Sequence, residues 1–277
     1  MAKIFAVANQ KGGVGKTTTT VNLAAALAAL SKRVLLVDLD PQGNATMGSG
    51  IDKRSLPGSV YELLLGLSPL PSVLRRSETG RYDVIPANRE LAGAELDLVD
   101  LDHRETRLKA AIAPYLADYD FVLIDCPPAL SLLTLNGLTA AHGVIIPMQC
   151  EYYALEGLSD LVNTIKQVHR NLNAELEIIG LLRVMFDPRS TLANQVSAQL
   201  ETHFGDKVFK TLVPRNIRLA EAPSYGMPGV VFDRSSKGAQ AYVAFAAEMV
   251  ERFASETFAS QPPFTRIAPQ PMIEPTA

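Results

Sequence analysis

Nine consecutive residues, Gln10-Lys11-Gly12-Gly13-Val14-Gly15-Lys16-Thr17-Thr18, bring together glycines, two lysines and two threonine hydroxyls. This combination suits a chain of phosphates. Glycines let backbone N–H groups turn inward around bound oxygens, and a helix starting at Lys16 presents its positive end to them. Lys16 is placed to meet the β and γ phosphates, and the Thr17 hydroxyl to ligate Mg²⁺. The ordinary phosphate-loop pattern requires glycine where Gln10 stands, and here a lysine, Lys11, sits at the loop entrance instead. A cation there is poorly placed for its own nucleotide but can reach the phosphates of a second subunit facing it. Taken alone, Lys11 would read as a solvated surface lysine.

Acidic residues follow where phosphoryl transfer needs them. The run VLLVDLDPQGN puts Asp38 and Asp40 at the end of an apolar segment, and FVLIDCPP does the same for Asp125. Ligands of parallel α/β sheets bind at the carboxyl ends of the strands. Alternate residues share a face, so Asp38 and Asp40 can point into one site. Asp125 occupies a Walker B position, holding Mg²⁺ through water. Thr18 and Asn44 are weaker, supporting candidates.

Positioning these groups requires strands that end at them and a helix that starts at the loop. Apolar blocks at 4–8, 33–37, 82–86, 121–124, 144–147, 178–186 and 208–213 read as buried strands. Helical patterns lie between them at 16–30, 59–65, 90–116, 131–140, 155–171, 192–204 and 237–255. Such alternation implies a mostly parallel sheet covered on both faces, a three-layer α/β/α sandwich of the P-loop NTPase type. Residues 1–258 are expected to form one ATPase domain, with 259–277 a disordered proline-rich tail.

Composition narrows the class. Of 277 residues, 47% are hydrophobic and 20% charged, which is enough apolar material for a core. No apolar run approaches the ~20 residues of a membrane span, and the N-terminus lacks the form of a secretory signal. Two cysteines, Cys126 and Cys150, build no disulfide framework and fit a reducing cytosol. A net charge of −3 argues against a constitutive nucleic-acid binder, although a local basic patch is compatible with it.

The motif K-G-G-x-G-K-T, with DLDPQGN at 38–44, Asp125-Cys-Pro-Pro, PMQCEYYALEGL at 147–158 and PRNIRLAEAPSYGMP at 214–228, resembles the ParA/MinD family of deviant Walker A ATPases. Within it, the chain looks most like chromosomal ParA proteins of the Soj type. The resemblance implies an ATP- and Mg²⁺-dependent ATPase of slow intrinsic turnover. Lys11, as signature lysine, joins Lys16 in stabilising phosphoryl charge across a nucleotide-sandwich homodimer. It implies further that Asp40 orients the attacking water, that Asp38 lies near the metal and that Pro214, Arg215 and Asn216 surround the adenine. Glu151 is similar to a residue near the dimer interface and ribose.

The resemblance also implies nonspecific double-stranded DNA as a partner of the ATP dimer, with Arg189 and Arg218 matching DNA-binding positions of the family. Arg183, Lys210, Arg215, Arg234 and Lys237 are further candidates for a basic surface. A ParB-like centromere-binding protein is the expected stimulator, and the expected location is the cytoplasm, on the nucleoid. MinD-type relatives dock on membranes through a basic amphipathic tail helix. Residues 259–277, with one arginine, no lysine and five prolines, lack that device, so no membrane partner is expected. A MinD-like membrane regulator and a ParA that positions some other cargo are the alternatives. The nitrogenase iron protein shares the loop and binds its cluster through cysteines. Cys126 and Cys150 read instead as small buried hydrophobes.

Overall fold

In the computed structural model, which describes residues 2–152 and 154–254, the apolar runs become strands of one sheet. These are β1 (Lys3–Val7), β2 (Val34–Asp38), β3 (Arg75–Ser77), β4 (Tyr82–Ile85), β5 (Phe121–Asp125), β6 (Gly143–Met148), β7 (Glu177–Phe186) and β8 (Val208–Pro214). Their order is β3-β4-β2-β5-β1-β6-β7-β8. Among the described strands, only β3 runs antiparallel to its neighbour. The proline-rich segment and the expected domain end at 258 lie outside the described residues.

Alternation along the strands sorts side chains to two helix-covered faces. Ile4, Ala6, Leu35, Val37, Val122, Ile124, Val144 and Ile146 face one core. Phe5, Val7, Val34, Leu36, Phe121 and Leu123 face the other. The helices are α1 (Lys16–Ala29), α2 (Asn44–Gly48), α3 (Val60–Leu65), α4 (Leu70–Val73), α5 (Ala94–Asp97), α6 (Arg107–Ile112), α7 (Leu132–Ala140), α8 (Ala154–Asn171), α9 (Thr191–Phe204), α10 (Ile217–Glu221), α11 (Gly229–Phe232) and α12 (Lys237–Ala254). The alanines of α1, at positions 24–26, are buried against the sheet, where small side chains permit close approach.

Two expectations need correction. The helix expected over 90–116 is instead a broken chain of short turns, α5 and α6. Most of its backbone bonds close short local turns, and at the start of α6 Asn136 of α7 accepts from Leu108 N at 3.1 Å and donates to Arg104 O at 2.7 Å. Arg183, expected on a basic surface, is buried within β7, where its guanidinium donates to Ser197, Glu201 and the Phe209 carbonyl. A charge inside the run IIGLLRVMF could have signalled a buried cation, because both faces of that strand are covered.

Both margins of the sheet carry features that discourage further strand pairing. β3 is three residues long and places Arg76 against Asp83 at 2.8 Å. On β8, the carboxylate of Glu248 from α12 accepts from Lys210 N at 2.9 Å, Thr211 N at 3.0 Å and the Thr211 hydroxyl at 2.7 Å.

Close packing between β7 and β8 leaves no room at Gly180, where an added Cβ would lie 2.7 Å from the Phe209 ring and 2.8 Å from the Lys207 carbonyl. Gly180→Ala is expected to cost about 1–3 kcal/mol, the range for overpacking against groups that cannot yield. A urea midpoint equal to that of the unsubstituted protein would contradict this.

Candidate functional site

The turn after β1 has the shape of an anion cradle. Gly13 and Gly15 sit at φ 74° and 78°, a left-handed conformation that side chains disfavour. Beyond Gly12 and Gly13 there is open space, with nothing within 4 Å of where a Cβ would stand. Val14 is buried and anchors the loop. Helix α1 begins with no side-chain cap and no acidic residue in its first turn. By contrast, Ser59 and Glu62 cap α3 with a full capping box. The free N–H groups of α1 therefore face the loop, a favourable arrangement for phosphate oxygens.

Lys16 is 7% exposed and donates to the Lys11 carbonyl at 3.2 Å. Burial lowers its pKa, against the pull of Asp125 and Asp40. Asp38 and Asp125 are paired residues at the ends of adjacent strands β2 and β5, and both are fully buried. Asp125 accepts from the Thr17 hydroxyl at 2.7 Å and the Thr20 hydroxyl at 3.1 Å. Asp38 accepts from Thr46 N at 2.8 Å, the Thr46 hydroxyl at 2.7 Å and Asp40 N at 3.1 Å. Burial raises the pKa of both carboxyls, and for Asp125 the charge of Asp38 adds to it. Asp40 stands at the rim, its carboxylate accepting from Gln42 N at 2.9 Å.

Lys11, Gly12, Gly13, Val14, Gly15, Lys16, Thr17 and the three aspartates thus converge at one end of the sheet. Thr20, Thr46 and Gln149 belong with them and were not singled out from sequence. Thr20 lies one helical turn beyond Lys16, so spacing could have found it. Thr46 offers no local signal. Gln149, after β6, donates to the Gly13 carbonyl at 3.2 Å.

Beside Thr17 and Thr18 opens a cavity of about 430 Å³, lined on one side by Asn22, Asn44 and Met47 and on the other by Leu219, Pro223 and Met227. Its apolar walls and amide groups suit a flat heterocycle attached to phosphates in the loop. Pro214, Arg215 and Asn216 do not line it. Pro214 ends β8, Arg215 is exposed, and the Asn216 side chain caps α10 by accepting from Leu219 N at 3.3 Å.

The two arginines expected to meet DNA are exposed and already partnered. Arg189 is held bidentately by Asp187, with both nitrogen–oxygen distances 2.9 Å. Arg218 reaches Glu221 at 2.8 Å and Asp233 at 3.5 Å. Arg215, Arg234, Lys237 and Lys210 are exposed. Cys126 and Cys150 are buried free thiols, and burial pushes both pKa values up.

Buried carboxyls with raised pKa values favour the folded state only while protonated. Their contribution is complete below the unfolded carboxylate pKa of about 4 and is lost as pH rises through the elevated folded value. Asp125→Asn removes that loss. It is expected to raise the melting temperature of the nucleotide-free protein at neutral pH, with the advantage shrinking toward pH 4. Thermal melts across that range check this, and an advantage independent of pH would reject it.

A family model described as an AAA domain matches residues 2–178. The sporulation initiation inhibitor protein Soj of Bacillus subtilis (strain 168) is 52% identical over 249 residues, covering 90% of this chain and 98% of that protein. The chromosome partitioning protein ParA of Myxococcus xanthus is 50% identical over 252 residues, covering 91% and 89%. Among solved structures, cobyrinic acid a,c-diamide synthase from Mycobacterium smegmatis with bound ADP and magnesium is similar with a TM-score of 0.82 and 41% identity, covering 94% of this chain and 100% of that one. The septum site-determining protein MinD from Pyrococcus horikoshii, complexed with Mg-ADP, has a TM-score of 0.73 and 26% identity, covering 90% and 96%.

Proposed function

The chain belongs to the ParA/Soj family of chromosome-partitioning ATPases, and from that premise we propose that it is a nucleotide-gated DNA-partitioning switch. The observation that carries this reading is the loop itself. An uncapped α1, open space at Gly12 and Gly13, and a buried Lys16 are joined by a second, half-exposed cation, Lys11, at the entrance. One nucleotide needs one such lysine. The other is available to a facing subunit.

In this reading the backbone of Gly12–Thr18 cradles the phosphates and Lys16 turns from the Lys11 carbonyl to the β and γ oxygens. Thr17 holds Mg²⁺, with Asp125 fixing the Thr17 hydroxyl and Asp38 ordering the Thr46 loop behind it. Bound Mg²⁺ supplies charge neutralisation at the transferring group. Asp40 orients the attacking water from the rim. Lys16 and the partner subunit's equivalent of Lys11 balance the charge that develops on the phosphoryl oxygens. The base fits the cavity beside Thr18, with Pro214–Asn216 supporting its wall through the cap of α10.

Two facing copies then join their basic surfaces, and nonspecific duplex DNA binds across Arg189 and Arg218, with Arg215, Arg234 and Lys237 near the latter. A ParB-like partner stimulates hydrolysis, the dimer separates and DNA is released. The protein thus works in the cytoplasm, on the nucleoid.

Asp40→Ala is expected to leave ATP binding intact and to trap a dimer that stays on DNA, because no carboxylate orients water. Phosphate release at the ordinary rate would remove Asp40 from catalysis. Binding to non-cognate duplex should require ATP, fail with ADP, and weaken steeply between low and moderate salt. Arg218→Glu should abolish DNA binding while nucleotide-dependent dimerisation persists. Retention of full DNA affinity by this variant would place the DNA surface elsewhere.

A further inference from the structure

The turn that carries Asp40 is held by a lysine outside the phosphate loop. Asp52 pairs with Arg54 at 2.9 Å, while the ammonium of Lys53, between them in sequence, donates to the Gln42 carbonyl. The N–H of the same Gln42 donates to the Asp40 carboxylate at 2.9 Å, and the Gly43 N–H closes the turn on the Asp40 carbonyl at 2.8 Å. Pro41 has no N–H to give, so orienting that carboxylate falls to Gln42. The grip is tight. At Gly43 an added Cβ would stand 2.8 Å from the Lys53 Cδ atom and 2.8 Å from the Ala87 carbonyl. Beyond α2 the chain folds back, with Ile51 N donating to the Thr46 carbonyl at 3.2 Å, and this return brings Lys53 to the turn. The 40–43 turn is therefore pressed between the lysine stem and the chain leaving β4.

We propose that Lys53 is a positioning residue for ATP hydrolysis: by holding the Gln42 carbonyl it fixes the N–H that aims the Asp40 carboxylate. The proposal rests on the reading of Asp40 as the group that orients the attacking water. Asp40 stands at the rim, where a carboxylate is free to rotate unless a donor holds it. Gln42 N is such a donor only while the turn keeps its shape, and the turn is short, glycine-containing and half in solvent. A charged donor on its carbonyl is a stronger tie than a neutral one. Loosening it spreads the carboxylate over several positions, of which few place water in line with the transferring phosphoryl group. Lys53 thus acts on turnover through Asp40 and leaves nucleotide binding to the loop.

The test compares Lys53→Met, which keeps most of the stem and removes the ammonium, with Lys53→Arg, whose guanidinium can donate to the same carbonyl. In steady-state hydrolysis by the full chain, the kcat of Lys53→Met is expected to fall about three- to tenfold, the scale of one half-exposed hydrogen bond. KM for ATP should stay within about twofold, because Lys53 lies outside both the phosphate loop and the cavity wall. Lys53→Arg should recover most of the loss. In single-turnover reactions with labelled ATP, adding Lys53→Met to Asp40→Ala should slow the residual hydrolysis no further. A Lys53→Met protein with undiminished kcat overturns the proposal. So does a Lys53→Arg protein as slow as Lys53→Met, or an equal further loss in the Asp40→Ala background. Asp40→Ala alone separates the two readings: ordinary turnover there removes Asp40 from catalysis and Lys53 with it, whereas a slow Asp40→Ala beside a fast Lys53→Met overturns the role of Lys53 only.

Discussion

Two carboxyl groups buried side by side at the ends of neighbouring strands set the terms for everything around them. Asp38 and Asp125 are in register on β2 and β5 and fully buried. Their ionised forms would face each other at low dielectric, which is costly without compensation. Three hydroxyls, from Thr17, Thr20 and Thr46, supply part of it. Lys16 adds a cation, itself held in the site against the cost of burial. A site built this way holds more negative charge than its hydroxyls neutralise, and it opens onto helix dipoles and a glycine turn that favour anions. Divalent metal and phosphate together satisfy both tendencies, which neither does alone.

The same carboxyls connect distant parts of the chain. Asp38 accepts from Thr46, whose hydroxyl oxygen also accepts from Ala87 N at 2.9 Å beyond the end of β4. The 40–46 segment, which carries Asp40, is thus fastened at the site and to the next strand along. On the opposite side of the loop, Asn9 and Gln149 perform the corresponding fastening toward β6. The phosphate loop is held between two connections that both leave carboxyl ends of strands, so a change at the phosphates reaches each of them through a few hydrogen bonds.

Much of this could be read from residue order because the chemistry is local. Glycines, Lys16 and Thr17 are consecutive, and each aspartate closes an apolar run whose continuity marks a strand covered on both faces. What escaped had non-local causes. β3 is RRS, a three-residue edge strand with no apolar pattern, and only its partner β4 makes it a strand. The 90–116 segment has helical spacing in Leu91, Ala94, Leu98 and Leu101. Its backbone closes a series of short local turns, with Asn136 on α7 taking the Leu108 N–H and the Arg104 carbonyl at the start of α6, and no continuous helical ladder forms. Thr46 reaches Asp38 only because 40–46 folds back over the strand end. The cavity walls at 219–229 consist of residue types found in any core, so their position carries the meaning and their identity does not.

The margins of the sheet bear on how copies of this chain could meet. Unpaired strand edges invite lateral growth, one sheet continuing into the next, and that mode of joining has no natural stopping point. Here one margin ends in a stub of arginines, and the other has backbone donors already taken up by Glu248. Strand-to-strand extension is disfavoured at both ends. Contact is left to surfaces made of loops and helices, whose side chains can be rearranged by what they bind. Association through such surfaces can be undone as readily as it is made.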